Sequence, residues 1–329
     1  MKKTFTIIIP TYKPGQTFMR LLKAIKKQSV QPAKIIVMNT DSSFWKPLFE
    51  IADQARNDED QAGGGEDQAR GDDAKMEVVH IVKEEFDHGG TRDRAARMAD
   101  TDIILYMTQD VALESNDVFA NMIKYFERQD VKAVYARQLP QSDCKTIESY
   151  TRSFNYPAQS MIKGKADLGK LGIKTYFCSN VCAAYDRKTY LELGGFAKKT
   201  IFNEDMIYAG KLVQSGYRIA YAANARVVHS HNYSDMEQLR RNFDLAVSQV
   251  DNLDVFAGVK SEGEGIKLVK QTCKYLWQIH KPWLIIKLFV TSAFKYKGYW
   301  LGKHYKMLPK SLIMKLTMNK KFWENFTIS

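Results

Sequence analysis

Asp110 closes the run Leu105-Tyr106-Met107-Thr108-Gln109-Asp110. A carboxylate directly after an apolar strand sits on the rim of an α/β sheet, where ligands bind. It is a hard oxygen donor, suited to Mg²⁺ or Mn²⁺, which take one or two carboxylates and complete their shell with substrate phosphate oxygens. His229-Ser230-His231 follows a second strand. His231, directed away from that strand, is the candidate further ligand, and a nitrogen donor favours Mn²⁺ over Mg²⁺. Glu204-Asp205 stands at the head of a helix. One of these acids can cap the helix or complement its dipole; the other is available as a general base. Asp205 is the candidate base, and Glu204 is assigned to the acceptor side.

Upstream, Phe86-Asp87-His88-Gly89-Gly90-Thr91-Arg92 opens another helix. Glycines let backbone approach an anion, and a helix amino terminus favours one. Arg92 or Arg94 can reach a diphosphate or a sugar, and Asp87 and His88 can line the sugar. The same run also reads as a plain strand-to-helix turn. Pro10-Thr11-Tyr12 and Asp41 lie just past the first two strands, so they form one pocket wall. Asp41 can accept the imide N–H of a uracil or thymine while Tyr12 stacks or lines the pocket; Asn39-Thr40-Asp41 is equally a turn sequence.

Transfer of a sugar from a nucleotide diphosphate would use these parts. The base is held, the departing diphosphate is neutralised, a base takes the acceptor hydroxyl proton, and the acceptor is positioned. The first three have candidates in chain order. Direct displacement with one base and no protein nucleophile inverts the product.

The elements that must place these groups are legible as apolar runs and helical periodicity. Strands are predicted over 5–12, 34–38, 76–82, 102–107, 131–136, 176–185 and 218–228. Helices are predicted over 17–28, 91–99, 117–129, 188–193, 204–215 and 235–250, the last capped by Asp235. Strand, helix and strand within the first forty residues make a βαβ unit and hence a parallel sheet. The fold class is α/β, a mixed and mainly parallel Rossmann-like sheet flanked by helices. Residues 137–172 are polar and irregular, with a turn at Lys163-Gly164-Lys165, and suit a loop over the site. Residues 53–73 repeat Asp-Gln-Ala every seven residues around Gly63-Gly64-Gly65, with no apolar seam. They read as a disordered acidic insert.

The chain of 329 residues carries a net charge of +12. Residues 255–329 hold 14 lysines, no arginine and 3 acids, so +11 of that charge lies there. Lysine interleaved with Trp, Tyr, Phe, Leu and Ile suits an anionic membrane surface. Nucleic acid would call for arginine forks and is not expected as a partner. The alternative is that these helices pack on the rest of the chain and show lysine outward. The division is therefore 1–255 for the catalytic part and 256–329 for a basic, aromatic-rich helical appendage, with no stretch near the ~20 apolar residues a span needs. Four scattered cysteines suggest a reducing compartment, and no signal peptide is evident, so the expected location is cytoplasmic and peripheral on the inner face of the cell membrane.

Ile9-Pro10-Thr11-Tyr12, the Phe86–Arg92 run, Thr108-Gln109-Asp110, Gly194-Gly195-Phe196 and Glu204-Asp205 together resemble the family 2 glycosyltransferases of the GT-A fold, nearest to bacterial rhamnosyltransferases. The resemblance covers about residues 4–250. It implies inverting transfer, Asp205 as general base, Asp110 as metal ligand, Gln109 within the donor site, and Mn²⁺ or Mg²⁺ as cofactor. The usual strand-end motif is Asp-x-Asp, and Thr108 replaces its first acid. The Phe86–Arg92 run implies dTDP-L-rhamnose as donor. The expected acceptor is a polyprenyl-diphosphate-linked glycan; a homo-oligomer is compatible with the sequence. Two other readings remain: a UDP-hexose-dependent transferase, and a non-catalytic nucleotide- or glycan-binding protein.

Overall fold

The computed structural model describes residues 3–45, 74–259 and 262–324. The acidic stretch 53–73 lies outside the described residues.

Strands β1 (Phe5–Tyr12), β2 (Lys34–Thr40), β3 (Lys75–Ile81) and β4 (Ile103–Met107) pair in the order β3-β2-β1-β4, all parallel. The sheet continues through β8 (Cys182–Asp186), which runs antiparallel to both β4 and β6 (Val131–Leu139). It then passes to β9 (Arg218–Val228), parallel to β6, and to the short β5 (Ala112–Leu113). Strands β1, β2, β3, β4, β6 and β9 therefore point the same way. Their carboxyl ends at Tyr12, Thr40, Ile81, Met107, Leu139 and Val228 share one edge, and the residues just before β8 enter that same edge.

Two apolar cores cover the two faces, which is why the inner strands read as unbroken apolar runs rather than alternating ones. Helix α1 (Gln16–Lys26) buries Phe18, Leu21 and Ile25 on one face. Helices α2 (His88–Met98), α3 (Val118–Ile123), α4 (Thr146–Asn155), α5 (Leu168–Leu171), α6 (Arg187–Glu192) and α7 (Glu204–Gln214) complete the layers. The architecture is the expected mixed α/β sheet with flanking helices.

Residues 137–172 are more ordered than their composition suggests. β6 runs on to Leu139, α4 follows, and β7 (Met161–Lys163) pairs with β9. These pieces are too short for periodicity to reveal. Lys163 is not at a surface turn: its ammonium is buried and donates to the carbonyls of Lys174 at 2.5 Å and Phe177 at 2.7 Å. Residues 176–185 are strand only from Cys182.

The long helix α8 (Asp235–Asp251) is capped by Ser234 in a capping box with Glu237, not by Asp235. Asp235 instead accepts from Lys287 at 2.5 Å and Thr291 at 2.7 Å. Those two residues belong to α11 (Leu284–Lys303), which follows α9 (Leu253–Phe256) and α10 (Glu262–Gln278). α11 lies against α8 with no room for a side chain at Gly298 or Gly302. A Cβ on Gly298 would stand 2.1 Å from the Leu239 carbonyl oxygen, and one on Gly302 would stand 2.3 Å from that of Phe243. α12 (Lys310–Leu316) and α13 (Lys320–Glu324) close a third core of Ile201, Phe243, Val247, Tyr305, Ile313 and Trp323. Asp244 of α8 fastens the segment between them, accepting from the Thr317 hydroxyl at 2.7 Å and the Met318 amide at 2.9 Å. Among the described residues no helix is long and apolar enough to cross a membrane.

Gly298→Val is expected to destabilise the protein by about 1–3 kcal/mol, because the clash is with backbone. Gly265→Ala, where the added Cβ meets open space, should be neutral or stabilising by up to ~1 kcal/mol. Denaturant melts of the two variants check this, and equal effects would refute the close helix contact.

Candidate active site

The rim of the sheet is tied together before any ligand arrives. The Gln109 amide bridges β1 and β4, accepting from the Tyr12 N–H and donating to the Tyr12 carbonyl, both at 2.9 Å. Gln109 thus holds Tyr12 in place and spends its polar atoms doing so. Tyr12 and Phe44 are exposed rings in edge contact at 6.3 Å, with Lys13 over both and Lys83 over Tyr12. Asp41 stands next to them at φ +69, a conformation Asn and Asp tolerate through local hydrogen bonds. Its carboxylate accepts from the Ser43 hydroxyl at 2.5 Å and the Ser43 amide at 3.1 Å. These bonds hold the carboxyl below its usual value. Thr11 is buried and donates to Asn39 at 2.9 Å, beneath this pocket. Pro10, Thr11, Tyr12 and Asp41 are thus brought to one place, joined by Phe44, Lys13 and Lys83, which the sequence did not single out.

The Gly-Gly turn is organised inward. Asp87 caps α2, accepting from the Gly90 amide at 2.6 Å and the Lys199 amide at 3.3 Å. His88 is exposed against Phe86. A Cβ on Gly89 would lie 1.9 Å from the Ala197 carbonyl oxygen, so this glycine is needed for close approach of two backbones. Arg92 points into the protein, 3.1 Å from Glu204 and 3.0 Å from the His88 carbonyl. Gly195, at φ +72, would place a Cβ 2.0 Å from Asp93. Gly89 and Gly195 therefore allow α2 to lie close against residues 195–204.

That close approach sets up the acid pair. Asn203 takes a left-handed conformation at φ +64 and starts α7. Glu204 is buried; burial opposes its ionisation, but Arg92 and His88 hold its carboxyl below the usual value. Asp205 is half-buried on the rim side, and burial followed by the charge of Glu204 pushes its carboxyl up to about 7. Asn180, just before β8, clamps both: its amide N–H donates to Asp205 at 3.2 Å and its side chain donates to Glu204 at 3.3 Å. Tyr185 in turn donates to the Asn180 side chain at 2.9 Å. Sequence reasoning missed Asn180; its only signal was a polar residue preceding an apolar strand.

Asp110, His229 and His231 converge, with one ligand atom from each within 4.8 Å of the others. His229 is buried, its Nε2 3.5 Å from Asp110 and its Nδ1 without a hydrogen-bond partner among the described residues. Burial opposes ionisation of Asp110, yet His229 and Thr108 hold its carboxyl well below the usual range. One carboxylate and two imidazoles at this spacing fit a divalent ion with bonds of about 2.0–2.6 Å, and the nitrogen donors suit Mn²⁺ better than Mg²⁺. The sequence pointed to His231; the second imidazole, His229, is added by the fold. The Thr108 amide donates to the Val181 carbonyl at 3.2 Å, so the strand end that carries Asp110 and the Asn180–Asp205 contact are neighbours.

Residues 6–194 match the family model described as Glycosyl transferase family 2. The O-antigen chain rhamnosyltransferase RfbN of Salmonella typhimurium is 38% identical, over 98% of this chain and 97% of its own. The O-antigen chain rhamnosyltransferase WbaN of Salmonella anatum is 36% identical, over 99% and 98%. Among solved structures, a mannosyltransferase of Pyrobaculum calidifontis in complex with GDP-mannose and Mn²⁺ superposes with a TM-score of 0.56 at 15% identity, covering 99% of this chain and 89% of that one. That likeness is one of fold. The chain belongs to glycosyl transferase family 2 and is a glycosyltransferase.

Proposed function

We propose that this chain transfers L-rhamnose from dTDP-β-L-rhamnose, with inversion, to a lipid-linked saccharide in cell-surface polysaccharide synthesis, working at the cytoplasmic face of a membrane. The observation that carries the transfer is the placement of Asp205: a rim carboxylate held by the Asn180 amide next to the strand end that bears Asp110, with burial and Glu204 raising its proton affinity towards that of a general base. The names of the two full-length relatives support the sugar and the polysaccharide.

In this mechanism Tyr12, Phe44 and Asp41 receive the base, with Asp41 accepting the imide N–H of thymine. Asp110, His229 and His231 hold a divalent cation, Mn²⁺ by preference. When bound, that ion supplies charge neutralisation for the leaving diphosphate. Asp205 takes the proton of the acceptor hydroxyl. The hydroxyl oxygen forms its bond to the anomeric carbon from the face opposite the diphosphate, and the carbon–diphosphate oxygen bond breaks. One displacement inverts the centre. Glu204 stays ionised against Arg92 and raises the proton affinity of Asp205, which makes it a positioning residue in this scheme.

Thermal shift and donor turnover with dTDP-rhamnose and with UDP-glucose, in the presence of Mn²⁺, test the reading. dTDP-rhamnose should raise the melting temperature and be hydrolysed slowly without acceptor, and excess chelator should remove most of that turnover. A response to UDP-glucose alone would replace the donor while keeping the reaction. No turnover of any nucleotide sugar would overturn the reading.

A further inference from the structure

We propose that the outward face of α11, with Trp277 and Trp283 at the turn before it, is a docking surface for a bilayer rich in anionic phospholipid. The helix is inverted relative to an ordinary surface helix. Its inward face is Leu288, Thr291, Gly298 and Gly302, closed against α8. Its outward face carries Ile286, Phe289, Tyr296 and Trp300, which are 74%, 56%, 68% and 51% exposed. Their spacing of three, seven and four residues keeps them on one stripe of an α-helix, about 21 Å long at ~1.5 Å per residue. A stripe of large apolar side chains in water marks an interaction site. Trp277 near the end of α10 and Trp283 just before α11 are also 70% and 65% exposed.

The charge around the stripe selects the occupant. Lys281, Lys297 and Lys303 are exposed along it, and the sequence has no acid between Glu264 and Glu324. Tyr296, Trp300, Lys303 and His304 line a shallow cleft of about 350 Å³ at its far end, where an aromatic wall meets an ammonium. Indole and phenol rings settle at the headgroup level of a bilayer, aliphatic side chains go deeper, and lysine pairs with phosphate. A second copy of the chain would set lysine against lysine across the same face. A surface without arginine, with Ile286 and Phe289 exposed on it, does not suit nucleic acid.

The surface is coupled to the site without a flexible joint. α8, which α11 grips, begins four residues after His231. A bilayer bound to α11 is thereby held at a set distance from the candidate metal ligands. This purpose rests on the proposal that the acceptor is lipid-linked; the binding itself does not.

Co-sedimentation of the full chain with vesicles tests it. Phosphatidylglycerol-containing vesicles should pellet the protein, with intrinsic tryptophan fluorescence shifting to the blue, and pure phosphatidylcholine should bind roughly tenfold more weakly. The pair Ile286→Glu and Phe289→Glu should weaken binding to anionic vesicles by roughly tenfold or more. The triple change of Lys281, Lys297 and Lys303 to Gln replaces three exposed side chains and should erase the preference for phosphatidylglycerol. Failure of the wild-type chain to pellet or shift its fluorescence, variants that bind as well as wild type, or a wild-type dimer that the Glu pair dissociates would each overturn the proposal. Donor hydrolysis in solution is measured on the same samples. Vesicle binding without hydrolysis leaves the docking surface standing and sinks the transferase mechanism instead.

Discussion

Asp205→Asn is expected to lower the rate of sugar transfer by about 10²–10⁴-fold, the range a positioned general base contributes. The wild-type rate should rise as pH passes through about 7, because the base must be ionised to take a proton and its carboxyl is pushed up to about 7. The Asn variant has nothing to ionise there, so its residual rate should lose that limb. The same shift has a stability sign. The folded pKa lies above that of an ordinary aspartate, 3.8, so folding binds the proton more tightly. That contribution is complete below about 4 and is lost as pH rises through about 7. Asp205→Asn, which never charges, should therefore be less destabilised than wild type on moving from pH 6 to pH 8. Initial rates against pH and melting temperatures on the same samples check both halves. An unchanged limb in the variant would move the base elsewhere on the rim.

Arg92→Ala should be the most damaging change to the fold among the site residues, by about 3–5 kcal/mol, because it leaves the buried Glu204 carboxylate unpaired. Glu204→Gln keeps the hydrogen-bonding shape without the charge and should cost less. Replacing both members with Met should recover much of the loss, since an isosteric apolar pair removes two desolvation penalties together. Urea denaturation of the three variants gives the comparison. A direct donor contact by Arg92 predicts the opposite pattern: unchanged stability and a raised KM for the nucleotide sugar. The inward geometry of Arg92 argues for the first outcome, and places the Phe86–Arg92 run among the supports of Glu204 and Asp205.

This example also shows where sequence reading stops. In the Phe86–Arg92 run, Gly89 permits close approach to the Ala197 carbonyl and Gly90 stands against the Asp87 cap, contacts that the run itself does not reveal. Which side of a helix a buried arginine faces depends on what the fold stacks there. Gln109 was visible as part of a strand-end motif, yet its role in pairing with Tyr12 needs β1 and β4 to be neighbours. The amphipathic cap of α8 was misplaced by one residue because Ser234 and Asp235 are both good caps, and only the contact with Lys287 and Thr291 separates them.

By itself, the sequence determined the α/β class, most of the principal strands and the family, and it singled out Asp110 and Asp205 as candidate acids. Unbroken apolar runs, glycine pairs and acids at strand and helix ends are local signals, readable without knowing what lies across the sheet. Tertiary structure decided the rest: His229 beside Asp110, Asn180 between Glu204 and Asp205, Arg92 turned inward, and α11 with its aromatic face outward. Each of these joins residues from separate elements, and α11 is apolar on both sides, so no periodicity could say which side the protein would keep.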